Sequence, residues 1–259
     1  MIPRKGIIKH NFPNTFAAIL RLSILHTGIW LYKQNLLRGD FLLVIISFIA
    51  LGIGLLSSII ILVDIVKHPQ QMKIMNFVWP VNGWFLGPFA VWTYYKWGRI
   101  KAKDLDIEDN RGQHAKVFGS TSHCSSGCTL GDAVGVPIVA ITGITIAGST
   151  LFAHYAVEFV LAYLFGIVFQ FYAIYPMNKE KGVAGAIKTA IKADSLSLIA
   201  FEIGMFGWMA IVHYVLFAQP PKPTEATYWF MMQIAMILGF LTSYPANWFL
   251  VKKGIKETM

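Results

Sequence analysis

The chain has 259 residues, of which 56% are hydrophobic and only 14% charged, with a formal net charge of +9. Soluble domains average about 25% charged residues, so a soluble domain is excluded and an integral membrane protein is indicated. The basic excess is not a nucleic-acid footprint. Lys and Arg gather between apolar runs and form no stripe with interleaved aromatics.

In chain order, residues 1–40 are read as a cytoplasmic or interfacial segment ahead of a membrane domain at 41–259. Arg4, Lys5 and Lys9 lead into Asn11 and Pro13, not into the apolar core of a cleavable signal. The run Phe16–Tyr32 is interrupted by Arg21 and His26, and it adds a seventh span only if it too crosses. Six apolar runs follow: Phe41–Leu62, Ile74–Trp97, Leu130–Leu151, Tyr155–Tyr175, Leu196–Phe217 and Tyr228–Val251. Each suits roughly 30 Å of hydrocarbon at about 1.5 Å rise per residue.

The expected fold is therefore all-α: a polytopic transmembrane helical bundle of six spans, multi-pass in the cell (inner) membrane. With six spans, one side holds nineteen Lys and Arg residues and the other only Lys67, Lys73 and Lys222. Such a bias predicts that both termini are cytoplasmic. Gly143-x-x-x-Ala147 and Gly148 offer small surfaces for close helix approach in the third span. The string aromatic-Pro-x-Asn occurs at Trp79, Tyr175 and Tyr244, where proline frees a carbonyl one turn earlier.

The only two cysteines stand before the third span, in His123-Cys124-Ser-Ser-Gly127-Cys128-Thr-Leu-Gly131-Asp132. This stretch reads as a cytoplasmic loop, a reducing location that disfavours a structural disulfide. If helical, it sets Cys124 and Cys128 on one face with Asp132 a turn further. Two thiolates and an imidazole suit copper or zinc, although a tetrahedral site needs one more ligand. A buried apolar cysteine pair and reactive-thiol chemistry are the competing readings.

Ionisable groups inside the runs are the second signal, because each costs about 2.5 kcal/mol or more at the membrane centre unless paired or wet. Glu202, Met209 and His213 form one stripe of the fifth span, with Met205 somewhat off it. His154 and Glu158 are an i, i+4 pair, and Met232 opens the sixth span from the same side. Two constellations are expected: an outer one of His154, Glu158, His213 and Met232, and an inner one of His123, Cys124, Cys128, Asp132 and Glu202. The flat alternative has Glu202 hydrogen-bonding across the bundle and both histidines in headgroup water.

These strings, with Trp79-Pro-x-Asn, Gly87-Pro88, Tyr94-Tyr95, Phe201-Glu202-Ile-Gly204-Met205 and Tyr244-Pro245-Ala-Asn247-Trp248, resemble the family catalogued as domain of unknown function 4396 over residues 41–259. The resemblance implies a membrane-embedded helical protein with His123, Cys124, Cys128, Asp132 and Glu202 in its characteristic motifs. It implies no activity.

The leading expectation is binding or transport of a soft transition-metal ion, copper or zinc, with the bilayer, the ion and either a membrane-protein partner or a second copy as partners. One alternative is a membrane redox or thiol enzyme, or a metal-centre assembly factor. Another is a non-catalytic subunit of a membrane complex. Haem-binding spacing, a glycine-rich nucleotide loop and HExxH are all missing from the sequence, so no enzyme class is indicated.

Overall fold

The computed structural model describes residues 13–70, 72–99, 111–175 and 182–256, with side chains from residue 40 onward. The expectation for residues 1–40 as a separate segment falls mostly outside the described side chains. The chain forms two compact units, Met1–Ile46 and Ser47–Met259. Among its described residues the first unit is helix alone, the start of α1 (Pro13–Lys67), and this helix continues into the second unit.

The second unit adds α2 (Met75–Leu86), α3 (Pro88–Thr93) with a π-helical turn at Tyr94–Gly98, and α4 (Gln113–Thr142). Then come α5 (Thr150–Ile174), α6 (Gly182–Ile211) with a π-helical turn at Val212–Leu216, and α7 (Ala226–Lys252). Among the described residues, five helices are long and apolar enough to cross a membrane: Asp40–Lys67, Gln113–Thr142, Thr150–Ile174, Gly182–Leu216 and Ala226–Lys252. Six were expected.

The difference lies at Ile74–Trp97, which forms a helical hairpin instead of one long helix. Gly87 breaks it with φ 57 and ψ −134, a backbone state that side chains disfavour, and Pro88 cannot continue α2. The descending arm lies antiparallel to α1, with Ser58 Oγ donating to Pro80 O at 2.8 Å and the Trp84 carbonyl against Gly54. The apex at Gly87 faces Ile53. The ascending arm then returns to the end of α1, where Tyr94 Oη and Arg99 Nε donate to Asp64 Oδ2 at 2.8 and 2.9 Å. Gly98 ends against the Trp79 ring, so both arms close on one another. Arg111, just before α4, donates to Trp97 O at 3.2 Å. The end of α1, both ends of the hairpin and the start of α4 therefore share one end of the bundle.

Proline also explains how the apex is held. Pro88 has no N–H for the carbonyl of Trp84, one turn earlier, and Gln233 Nε2 of α7 donates to that oxygen at 2.8 Å instead.

The second correction concerns α4. The stretch 113–129 was expected to be loop, because Ser, Thr and Gly weaken helices in water. Here it is buried helix. Thr121, Ser125 and Ser126 turn their hydroxyls back onto the carbonyls of Val117, Thr121 and Ser122, each at 2.8 Å, which satisfies those three side chains within the helix itself. The helix stops at Gly143 in the left-handed region (φ 65), and residues 143–149 are a turn. The small residues Gly143 and Gly148 lie in that turn and touch no neighbouring helix.

The close helix approach occurs elsewhere, along Gly127, Gly131 and Gly135. A Cβ on Gly127 would lie 3.0 Å from Gly166 Cα, one on Gly131 would collide with the backbone of Ala162, and one on Gly135 would lie 2.8 Å from Glu158 Cγ. Each step of four on α4 meets a step of four on antiparallel α5, the small-residue packing that lets helices approach within lipid. Across α6 and α7, Gly204 and Gly239 do the same, with Thr242 Oγ1 donating to Ala200 O at 2.7 Å. Helices α4 to α7 thus form a tight four-helix core.

Candidate functional site

The four-helix core holds a line of buried polar side chains. The register of α4 on α5 fixes their depth, since Glu158 sits opposite Gly135 and Ala162 opposite Gly131. Two further steps toward the start of α4, through Gly127 opposite Gly166, set His123 opposite Gln170. Distances along α4 then follow from about 1.5 Å per residue.

Nearest the end where α4 starts are His123 and Gln170, both fully buried, with neither polar side-chain atom of either residue hydrogen-bonded among the described groups. About a turn further in, at the depth of Gly127 and Gly166, Lys256 Nζ lies 2.9 Å from Asp194 Oδ1 and 3.3 Å from Ser197 Oγ, and all three residues are buried. The His123 ring meets Phe169 edge-on, with centroids 6.0 Å apart. Cys124 and Cys128 follow on the same face of α4, both reduced, buried and against one another. The carboxylate of Glu202 in α6 faces the Cys128 thiol, and Asp132 lies a turn beyond, within electrostatic reach of Glu202. No oxygen of either carboxylate has a hydrogen-bond partner among the described groups.

Glu158 comes next, bonded to His154 Nδ1 at 2.9 Å. His154 lines a cleft of about 230 Å³ at the opposite end of the bundle, together with Thr150, Met209, His213, Lys222 and Tyr228. From His123 to the cleft the succession covers about 24 Å of helix.

The expected inner group of His123, Cys124, Cys128, Asp132 and Glu202 is therefore brought into one interior. It lies inside the bundle and not at a cytoplasmic loop, for the reason given for α4. Of the outer group, His154 and His213 share the cleft and Glu158 stands just behind them. Met232 is buried and is not among the cleft residues, whereas Met209, on the Glu202 stripe, takes the thioether position there. Among the described residues, no three His, Cys, Asp or Glu side chains converge closely enough to hold a metal ion.

Sequence reading missed Asp194, Lys256 and Gln170. Asp194 carried a signal as the only acid between Gly182 and Phe201. Lys256 carried none, being one of three lysines in a short tail.

What such a line can do follows from its spacing. Groups about one helical turn apart can pass a proton or cation in steps. Orphaned carboxylates and an orphaned imidazole are unfilled acceptors, and a buried polar group without a partner costs roughly 1–3 kcal/mol unless something else meets it.

A family model described as a domain of unknown function (DUF4396) matches residues 113–256, more than half of the chain. The match covers the whole four-helix core and starts at α4, so α1 and the hairpin lie outside it. No curated protein and no solved structure matches the chain.

Proposed function

Starting from a chain that belongs to the domain of unknown function 4396 family, we propose that it is a multi-pass membrane protein that moves a soft metal cation through its four-helix core. Cys124, Cys128 and Glu202 form the central station. The single observation that supports this most is the placement of two thiols beside carboxylates that have no hydrogen-bond partner, in the same buried interior. Sulfur donors select soft ions, and two thiolates suffice for copper(I), whereas zinc asks for four ligands. Copper is therefore the favoured cargo. Asp132 and Glu158 would balance its charge, and His154, His213 and Met209 would form the approach from the cleft. Burial of both thiols speaks against exchange with a soluble protein partner.

The test is elemental analysis of the purified protein after copper loading under reducing conditions. Wild type should hold about one copper per chain, and the Cys124→Ser/Cys128→Ser variant should hold background only. Equal metal in the two proteins would refute the reading.

Orientation belongs to the same proposal. Because the hairpin returns, Lys67 and Lys73 join Lys96, Arg99, Arg111, Lys116, Lys188, Lys192, Lys252, Lys253 and Lys256 at one end. From Ser47 onward only Lys222 among the described Lys and Arg residues lies at the other. That is a cleaner charge bias than six spans allow, and it favours five crossings with the basic end cytoplasmic. The end of α7 would then lie on the cytoplasmic side. A cysteine placed at Lys73 should react with a membrane-impermeant maleimide only from the cytoplasmic face. Reaction from outside would restore the six-span topology.

A further inference from the structure

The ion pair of Lys256 and Asp194 lies at the depth of Gly127 and Gly166, between His123 and Cys128, and the cargo reading assigns it no role. Lys256 stands just beyond α7. Gly254 takes φ 65, and the N–H groups of Ile255 and Lys256 both donate to Leu250 O, at 3.0 and 3.3 Å. This turn folds the chain back so that a tail lysine points into the bundle instead of toward water.

Its surroundings have the chemistry of a cation site. One oxygen of Asp194 and the hydroxyl of Ser197 contact the ammonium directly. The other oxygen, Asp194 Oδ2, is buried with no hydrogen-bond partner among the described groups, and it rests against Gly166, where a Cβ would come within 2.8 Å of it. Cys124 and Cys128 lie nearby, and His123 is close enough to sense both Lys256 and Asp194. Burial works against the charged form of Lys256, yet the Asp194 carboxylate in contact with it outweighs that and holds the lysine above its ordinary value. The ammonium is thus a bound monocation.

A tail could be anchored far more cheaply at the surface, since stripping water from an ammonium and a carboxylate costs several kcal/mol that the pair seldom regains in full. We propose that Lys256 is a tethered cation seated in the inner binding site of the path, formed by Asp194 and Ser197 beside Cys124, and that a passing monovalent soft cation must displace it. The proposal rests on the core being a cation path, and it adds a gate and a charge rule. Exchanging one monocation for another leaves the interior charge unchanged, which a divalent ion would not.

The test uses the detergent-purified full chain, treated with a cationic (aminoethyl) or an anionic (sulfonatoethyl) methanethiosulfonate, with modification of Cys124 read by mass spectrometry. Cys124 should stay protected in wild type and in Lys256→Arg. In Lys256→Gln it should react at least about tenfold faster with the cationic reagent than with the anionic one, because the vacated carboxylate concentrates cations. Lys256→Ala/Asp194→Asn, which removes both charges and so spares the fold an unpaired one, should react with both reagents equally. Continued protection in either opened variant would overturn the gate, as would charge-blind labelling of Lys256→Gln, the mark of a loosened anchor. The labelling needs no metal. Charge-selective labelling with no copper bound would therefore sink the cargo and leave the gate standing.

Discussion

The hairpin region and the four-helix core both carry carboxyl groups on apolar helices, Asp64 half-buried and Asp132 and Glu202 fully buried, and they treat them in opposite ways. Beside the hairpin, Asp64 is answered by Tyr94 and Arg99, with His68 Nδ1 at 3.3 Å as a third neighbour. In the core, Asp132 and Glu202 have no hydrogen-bond partner among the described groups, although the same helices carry many hydroxyls. Three of those hydroxyls, on Thr121, Ser125 and Ser126, are spent on their own helix backbone. A charge with matched donors holds structure together. A buried carboxyl group left without donors is what the cation path proposed above requires.

Three substitutions can break or sharpen that contrast. The largest effect is expected at Glu202→Gln. Copper(I) uptake by proteoliposomes should fall at least about tenfold, as expected when a group beside a metal ligand is lost. The thermal unfolding midpoint should hold or rise, because a desolvated, unpaired carboxylate has been removed. A lower midpoint with unchanged uptake would place Glu202 on the structural side. At Asp64→Asn the opposite pattern is expected. Stability should drop by about 1–2 kcal/mol, discounted for the partly exposed Arg99, while uptake is unaffected. Loss of uptake at full stability would erase the distinction between the two regions. The smallest effect belongs to Gln233→Leu, which leaves the Trp84 carbonyl unmet for about 1 kcal/mol, near the usual worth of an interhelical hydrogen bond in membranes. A change several times larger would mean that the core itself leans on the hairpin.

Much of this was legible in the sequence. Long apolar runs located α1 and α5 to α7, and ionisable residues inside them named Glu158, Glu202 and His154 before any contact was known. Two places defeated the same logic. The Ser- and Gly-rich stretch before Leu130 has the composition of a loop in water, and only mutual burial against Ala162 and Gly166 turns it into helix. The segment Ile74–Trp97 has the length and hydropathy of a crossing. Gly87-Pro88 marks its apex, yet such a pair also occurs in kinked helices that do cross, and only the contact of Tyr94 and Arg99 with Asp64 reveals the return. Lys256 was invisible for another reason. Its role depends on a turn of three residues aiming one lysine of several.

The amide of Gln233 also ties two parts of the chain that need not share a history. Its donor belongs to the stretch that the family model covers, and its acceptor, the Trp84 carbonyl, does not. A relative built from the core alone would carry that amide toward lipid with nothing to receive it. In such a relative position 233 should hold an aliphatic side chain, so the identity of one residue in α7 would report whether a hairpin precedes it.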